Sequence, residues 1–359
     1  MMKFKYLLLV FILLTALLSG CNNESYSKYT YEFIGAFDTT IQIIGYSKSK
    51  EDFEIMSDYA YNRLMELHKL FDIYNDYDGV NNVKTINENA GIKPVKVQKE
   101  IIELLLLCKE WYYKTNGKCN VAMGSVLSIW HEYRNAGIQN PEQAQLPPLS
   151  KLQEAAKYTD IDKVIIDEEN STVFLEEKNM NLDVGAVAKG YSTELVVTEL
   201  LEKGYDNFAI SSGGNVRVTG RPQTSGRNKW GVGIQDPKGN VYDPDEPSLD
   251  IIYVNNKSVV TSGDYHRTYT VDGRKYHHLI DSETLMPAEY FSAVVVVDEN
   301  SGFSDFMSTT LFLTPFEEGF ELAEKFGIDV VWIFKDGTIK TTPQIKEMMK
   351  NLGGATGKE

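Results

Sequence analysis

Between Asn181 and Glu194 the chain reads NLDVGAVAKGYSTE, and this stretch constrains the rest more than any other. An apolar run that carries an acid (Met180, Leu182, Asp183, Val184) meets Gly185, then small residues, then Lys189-Gly190-Tyr191. The pattern predicts a strand, a tight turn and a helix running from Glu194 to Lys203, with one carboxylate and one ammonium close to the turn. Glycine allows a ligand to approach the backbone, and the free N–H groups of a helix start favour anions. Taken alone, the segment fits a structural turn as well as a binding one. Its meaning depends on what surrounds it.

The surrounding sequence mixes strands and helices without strict βαβ alternation. Thr30–Tyr46 alternates apolar and polar residues around Gly35 and Asp38-Thr39-Thr40, as a hairpin does. Asp52–Phe71 and Gln98–Lys114 carry helical periods, the second closed by Asn116-Gly117. Val126–Tyr133 is apolar around Trp130, and Lys163–Phe174 reads as a hairpin. Asn207–Thr219 holds a strand, a glycine pair and a strand, and Trp230–Asp236 and Ile251–Val260 read as further strands. Tyr265–Asp281 predicts a hairpin turning at Asp272-Gly273. A buried strand (Ala293–Asp298), two helices (Ser304–Leu313 and Phe316–Phe326) and a hairpin across Asp336-Gly337 complete the chain. The expectation is an α+β fold, with mixed β-sheets and flanking helices in a single large domain over residues 32–345 and a flexible tail over 346–359.

At the start, Lys3 and Lys5 precede an almost unbroken apolar run, Tyr6–Leu18, followed by Leu18-Ser19-Gly20-Cys21. That layout is a signal peptide over residues 1–20, ending in a bacterial lipoprotein box. Cys21 would be lipidated and become the new N-terminus, leaving residues 21–31 as a tether on the extracytoplasmic face of the bacterial cytoplasmic membrane. No later segment is long and apolar enough to span a bilayer. The formal net charge of −15 argues against nucleic acid as a partner. An anionic substrate would have to be met by a local cation: a metal, a lysine or backbone N–H groups. Cys108 and Cys119 read as free thiols, and there is no CxxC, HExxH or zinc spacing.

Several short patterns could carry chemistry. Asp305 and Thr309, four apart, would share a helix face and offer a carboxylate and a hydroxyl to a hard cation such as Mg²⁺. Ser211-Ser212-Gly213-Gly214-Asn215 could cradle a phosphate or form a plain hairpin turn. His277-His278 closes a strand where a general base could sit, and Thr261-Ser262 brings two hydroxyls to a turn. Arg267 and Arg274 read as solvated.

In this order the elements resemble the ApbE family of flavin transferases, over Phe33–Ile333. The family's LDxGxxAKGY element stands as Leu182–Tyr191, and its glycine pair as Ser212-Gly213-Gly214. Its TSGxYxRxY element is Thr261–Tyr269, its HxIDxxT element His278–Thr284, and its Asp-Ala-Leu-Ala-Thr helix Asp305–Thr309. The resemblance implies a Mg²⁺-dependent extracytoplasmic enzyme that binds FAD. Such an enzyme moves FMN onto a Thr or Ser hydroxyl of an acceptor protein and releases AMP.

By the same resemblance, Asp305, Thr309 and the Ala186 carbonyl would hold Mg²⁺. Asp183, Lys189, Tyr74, Leu279 and the Lys118-Cys119-Asn120 loop would contact FAD, and His278 would be catalytic. The chain departs from the family at Cys119-Asn120 (for Phe-Asp), at Ser282 and Leu285 (for Pro and Gly), and at Phe37 (for Met). It also has Gly302 where some members carry an acid. Two other readings use the same residues: an FAD diphosphatase giving FMN and AMP, and a lipoprotein that only binds flavin. A two-lobed solute-binding lipoprotein fits less well, because repeated βα alternation is missing.

Overall fold

The structure, a computed structural model, describes residues 26–240 and 248–358; the signal peptide and Cys21 lie outside them. Eight strands form the central sheet: β1 (Ser27–Ala36), β2 (Thr39–Ser47), β3 (Phe208–Ser212), β4 (Asn215–Val218), β5 (Ser258–Gly263), β6 (Phe291–Asp298), β7 (Asp329–Phe334) and β8 (Ile339–Thr341). Their order in space is their order in the chain. Each neighbouring pair is antiparallel. The sheet is one long meander into which the rest of the protein is inserted. A meander needs no parallel crossover, which is why the sequence lacks βαβ alternation.

The long β2–β3 insertion holds α1 (Lys50–Phe71), α2 (Lys99–Lys114), α3 (Gly124–Gln139) and α4 (Ala188–Glu202). Between β6 and β7 lie α5 (Ser301–Phe312) and α6 (Phe316–Phe326). All of these helices except α3 cover one face of the sheet. Val294 and Val296 of β6 join a core there with Leu64 of α1, Leu104 of α2, Val196 of α4 and Phe306 of α5. The alternate residues Ala293, Val295 and Val297 point the other way, into a core shared with Trp230, Ile252 and Val331. That second face is closed by the antiparallel pair Trp230–Ile234 and Asp250–Val254. A strand buried on both faces reads as an unbroken apolar run, as β6 does. A third, smaller core joins α3, through Trp130, to Tyr269 and Val271 of a short hairpin.

Three expectations are corrected. Residues 27–31, assigned to the tether, belong to β1, with Thr30 opposite Ile44. Their polar side chains suit an edge strand exposed on one side. The supposed tail from 346 is docked: Met349 is buried and bridges to Ile252, the N–H groups of Asn351 and Leu352 donate to the Asp250 carboxylate at 2.8 and 3.1 Å, and the Gly357 carbonyl accepts the Asn228 N–H at 2.6 Å. Ile251–Val260 is two strands rather than one, broken where Asn256 turns at φ 54°. No helix among the described residues is long and apolar enough to cross a membrane.

Candidate active site

Helix α4 starts at Ala188, six residues before the sequence suggests, and no side chain at Val187 caps it. The cap comes from α5. Asp305 Oδ2 accepts the Gly190 N–H at 2.8 Å. In return, Glu194 of α4 accepts the N–H of Ser301, the first residue of α5, at 2.6 Å. Each helix start is therefore closed by an acid from the other, satisfying groups that α-helix geometry leaves unpaired. The helices must touch for this to happen. A Cβ on Gly190 would lie 2.3 Å from the Ser301 carbonyl oxygen and 2.5 Å from Asp305 Cβ. At Gly302 a Cβ would lie 3.1 Å from Tyr191 Cα, so the crossing leaves little room for the acid that some relatives carry there.

The apolar run before α4 is not a strand. Its only ladder contact is a single parallel bridge between Asn181 and Met123. The Asn87 amide instead pairs with both the N–H and the C=O of Leu182, at 2.7 and 3.0 Å, and Asp183 N–H donates to Val121 O at 2.8 Å. A side chain does the work of a neighbouring strand. The Gly213-Gly214 pair, at φ 53° and 91°, is a hairpin turn between β3 and β4, and Gly213 sits against the Thr39 hydroxyl.

Three oxygen donors come together at the α4–α5 crossing. Asp305 is buried, with Lys189 Nζ 3.3 Å from Oδ2. Thr309 lies one turn along the same face. Thr310 and Thr314 return their hydroxyls to carbonyls four residues back, at 3.0 and 2.7 Å. Thr309 Oγ1 has only a long 3.4 Å contact with Ser262 of β5. The Ala186 carbonyl is the ordinary helical partner of Gly190 N–H, but Asp305 takes that N–H, and among the described residues this carbonyl accepts no backbone hydrogen bond. A carboxylate, an open hydroxyl and an open carbonyl are hard donors that fit Mg²⁺. Among the described residues no group of three or more His, Cys, Asp or Glu could hold a metal, so the fit rests on this mixed set.

The two adjacent histidines separate cleanly. His277 Nε2 bonds the Ala288 carbonyl at 2.8 Å and Nδ1 accepts the Leu279 N–H at 3.2 Å, so it is a packing residue. His278 Nδ1 is buried without a partner. Burial, then the positive charges of Arg267, His277, Arg134 and Lys189, hold its pKa well below the ordinary histidine range. It is neutral at pH 7. Nearby, Tyr74 OH meets His131 Nδ1 at 2.9 Å, and His131 Nε2 is 3.9 Å from Asp183 Oδ2. The Tyr74 ring is half open to solvent. Burial of its hydroxyl end, with Asp183 adding, pushes its pKa up to about 12.

The sequence model of the ApbE family matches residues 37–332. The chain belongs to the ApbE family. Among similar curated proteins, one from Treponema pallidum (strain Nichols), named FAD:protein FMN transferase, is 31% identical over 280 residues, covering 74% of each chain. Another of that name from Klebsiella pneumoniae (strain 342) is 28% identical, covering 73% of this chain and 78% of that one. A solved ApbE protein from Thermotoga maritima superposes with a TM-score of 0.75 at 25% identity, over 90% of this chain and 99% of that one. The apo flavinyl transferase ApbE of Pseudomonas stutzeri gives 0.73 at 21% identity, over 92% and 98%.

Set on the ApbE positions, the side chains divide into open and committed groups. Lys189, Asp305 and Thr309 lie at the α4–α5 crossing, Asp183 just before it is linked through His131 to Tyr74, and His278 is within electrostatic reach of Lys189. Cys119 belongs with them: burial, then the charges of Asp305 and Asp183, push its thiol up to about 12. Asn120 is committed, its amide donating to Thr159 O at 2.9 Å and accepting from Ala122 N–H at 2.8 Å. Lys118 pairs with Glu283. Leu279 is buried in the main core, and its backbone N–H and C=O are taken by His277 and Ala288. Sequence reading missed His131 and Arg134, whose signal was their spacing of three on α3 just past Trp130.

Proposed function

We propose that this chain transfers FMN from FAD to a Thr or Ser hydroxyl of an extracytoplasmic acceptor protein and releases AMP. It does so with Mg²⁺, tethered through lipid at Cys21 to the outer face of the cytoplasmic membrane. The observation that carries the reading is the meeting of Asp305, Thr309 and the open Ala186 carbonyl at one helix crossing, with the unpartnered His278 within electrostatic reach of Lys189, in an ApbE-family chain.

Asp305, Thr309 and Ala186 would hold Mg²⁺, which supplies charge neutralisation and Lewis-acid polarisation of the diphosphate. The protein's own groups do the rest. Tyr74 and Asp183, tied through His131, orient the flavin end. His278, whose Nδ1 makes no hydrogen bond, accepts the acceptor hydroxyl's proton as that oxygen bonds to the FMN phosphorus and the bond to AMP breaks. No nucleophile of this chain is required, because the acceptor supplies it. The buried pKa of His278 keeps it in the basic form needed for this role.

The test incubates the purified protein with FAD and Mg²⁺, with and without an acceptor domain bearing a target Thr. AMP release and flavin fluorescence on a denaturing gel are the readouts. The expected result is a fluorescent acceptor band that EDTA abolishes and that Asp305→Asn lowers by at least about a hundred-fold. AMP and FMN with an unlabelled acceptor would make the chain a diphosphatase. FAD binding without AMP would make it a flavin carrier.

A further inference from the structure

Neutralising a diphosphate is harder here than the sequence suggests. Lys189, the obvious cation, already lies 3.3 Å from Asp305, in a chain of net charge −15. Two other cations face the site without commitments. Among the described residues, neither Arg134 nor Arg267 makes a hydrogen bond or ion pair.

Their placement is fixed from two sides. Arg134 follows His131 by three on α3 and so shares its face, which looks onto Tyr74 and Asp183. Arg267 sits on the loop after β5, which is anchored to α3. The Tyr269 ring packs where a Cβ on Gly137 would come within 2.7 Å, and Tyr269 OH donates to Gln145 O at 3.2 Å. The Arg267 backbone is left-handed at φ 51°, a conformation that non-glycine residues hold mainly where surrounding structure imposes it. Both guanidinium groups are close enough to act electrostatically on Tyr74, His131 and His278. His278 Nδ1 is buried without a hydrogen-bond partner.

We infer that Arg134 and Arg267 form a clamp beside His278 that grips the diphosphate of FAD from the side opposite Lys189 and Asp305. The inference rests on the FAD reading above. Arg267 is exposed and Arg134 is half-buried with the charge of Asp183 acting on it, so both guanidinium groups keep donors free for an incoming anion. The planar guanidinium fork matches phosphate oxygens two at a time. Phosphate is favoured over an acceptor carboxylate because the arginines flank Tyr74 and Asp183, on the flavin side of the histidine. Beyond binding, such a pair would stabilise the charge that spreads over the phosphoryl oxygens during transfer.

The test is the ratio of affinities for FAD and for riboflavin, which lacks phosphate. Both are measured by fluorescence titration of the full protein in EDTA, at two salt concentrations. Wild type should prefer FAD. Arg134→Gln and Arg267→Gln should each cut that preference by about ten-fold or more, leaving riboflavin binding unchanged and weakening the salt dependence. Arg134→Lys should recover only part of the loss. A misfolded variant would lose both ligands, and circular dichroism would reveal it. Such a variant is replaced by its lysine counterpart, for which an unreduced FAD preference and salt dependence count against the clamp. If the variants keep the FAD preference but label the acceptor poorly, the phosphate assignment is overturned and the arginines bind the acceptor. If wild type binds neither flavin, the FAD reading falls, and the clamp with it.

Discussion

Gly190→Ala should damage stability and chemistry together, because one contact serves both. The added Cβ would lie 2.3 Å from the Ser301 carbonyl oxygen, 2.5 Å from Asp305 Cβ and 2.9 Å from Asn215 Nδ2. Two of these are main chain or the root of a side chain, so no flexible end can swing away. To reach van der Waals separation the helices must part by about 1 Å. Overpacking of that kind costs about 1–3 kcal/mol. Separation also stretches the 2.8 Å bond from Gly190 N–H to Asp305 and the 2.6 Å bond from Ser301 N–H to Glu194. Because α4 carries Lys189 and α5 carries Asp305 and Thr309, the same shift misplaces the reacting groups, and about 1 Å can cost on the order of a hundred-fold in rate. Urea unfolding followed by tryptophan fluorescence reads the first effect, and AMP release the second. A variant with an unchanged midpoint would refute the close approach. A lowered midpoint with an unchanged rate would refute the claim that this crossing sets the site.

Further consequences are equally open to measurement. His131, His277 and His278 all have pKa values lowered chiefly by burial, so below about pH 6.5 the unfolded chain binds protons that the native one refuses. Stability should be flat above pH 7 and fall on acidification by up to about 1.4 kcal/mol per pH unit per histidine, until each folded pKa is reached. A flat urea midpoint between pH 7 and 5.5 would contradict this, and His278→Asn should shallow the slope. Asn120→Asp, which restores the family's acid, should destabilise by about 1–3 kcal/mol, because it removes the donor to Thr159 O and sets a carboxylate against that carbonyl. A thermal midpoint at or above wild type would sink that argument. Cys108 and Cys119 are buried, with thiol pKa values raised by burial, so the native protein should resist iodoacetamide at pH 8 and react only once unfolded. Mass spectra showing rapid native labelling would show that the thiols are accessible.

What the sequence disclosed follows from where each signal resides. The β1–β2 hairpin, α1, α2 and α6 were legible because their periods and end residues are local. The ordered motifs placed Asp183, Lys189, His278, Asp305 and Thr309 on a list that the fold then gathers in space. The start of α4 was not legible, because its cap is Asp305, 115 residues further on. Nothing near Val187 announces a helix. The Leu182 run mimicked a strand because Asn87, 95 residues away, supplies the hydrogen bonds that a neighbouring strand would give. The docked tail was missed for a similar reason. Its anchor, Asp250, lies at the far end of the second core, and only Met349 is apolar enough to hint at burial.

The reciprocal caps also explain why the ApbE motif combines residues that look unrelated in sequence. Asp305 has two oxygens. One closes the start of α4 on Gly190, and that very bond leaves the Ala186 carbonyl without its helical partner. The residue proposed to hold the metal thus frees the carbonyl proposed as its second ligand and, through Gly190, fixes how near α5 can come. Glycine at 190, alanine at 186 and the spacing between them are then consequences of one helix crossing rather than separate requirements. Lys189 is already directed at the same carboxylate, which leaves the substrate's own charge to other groups. In a chain this acidic, those groups have to be brought from elsewhere in the fold, and the proposed clamp takes them from α3 and the loop after β5.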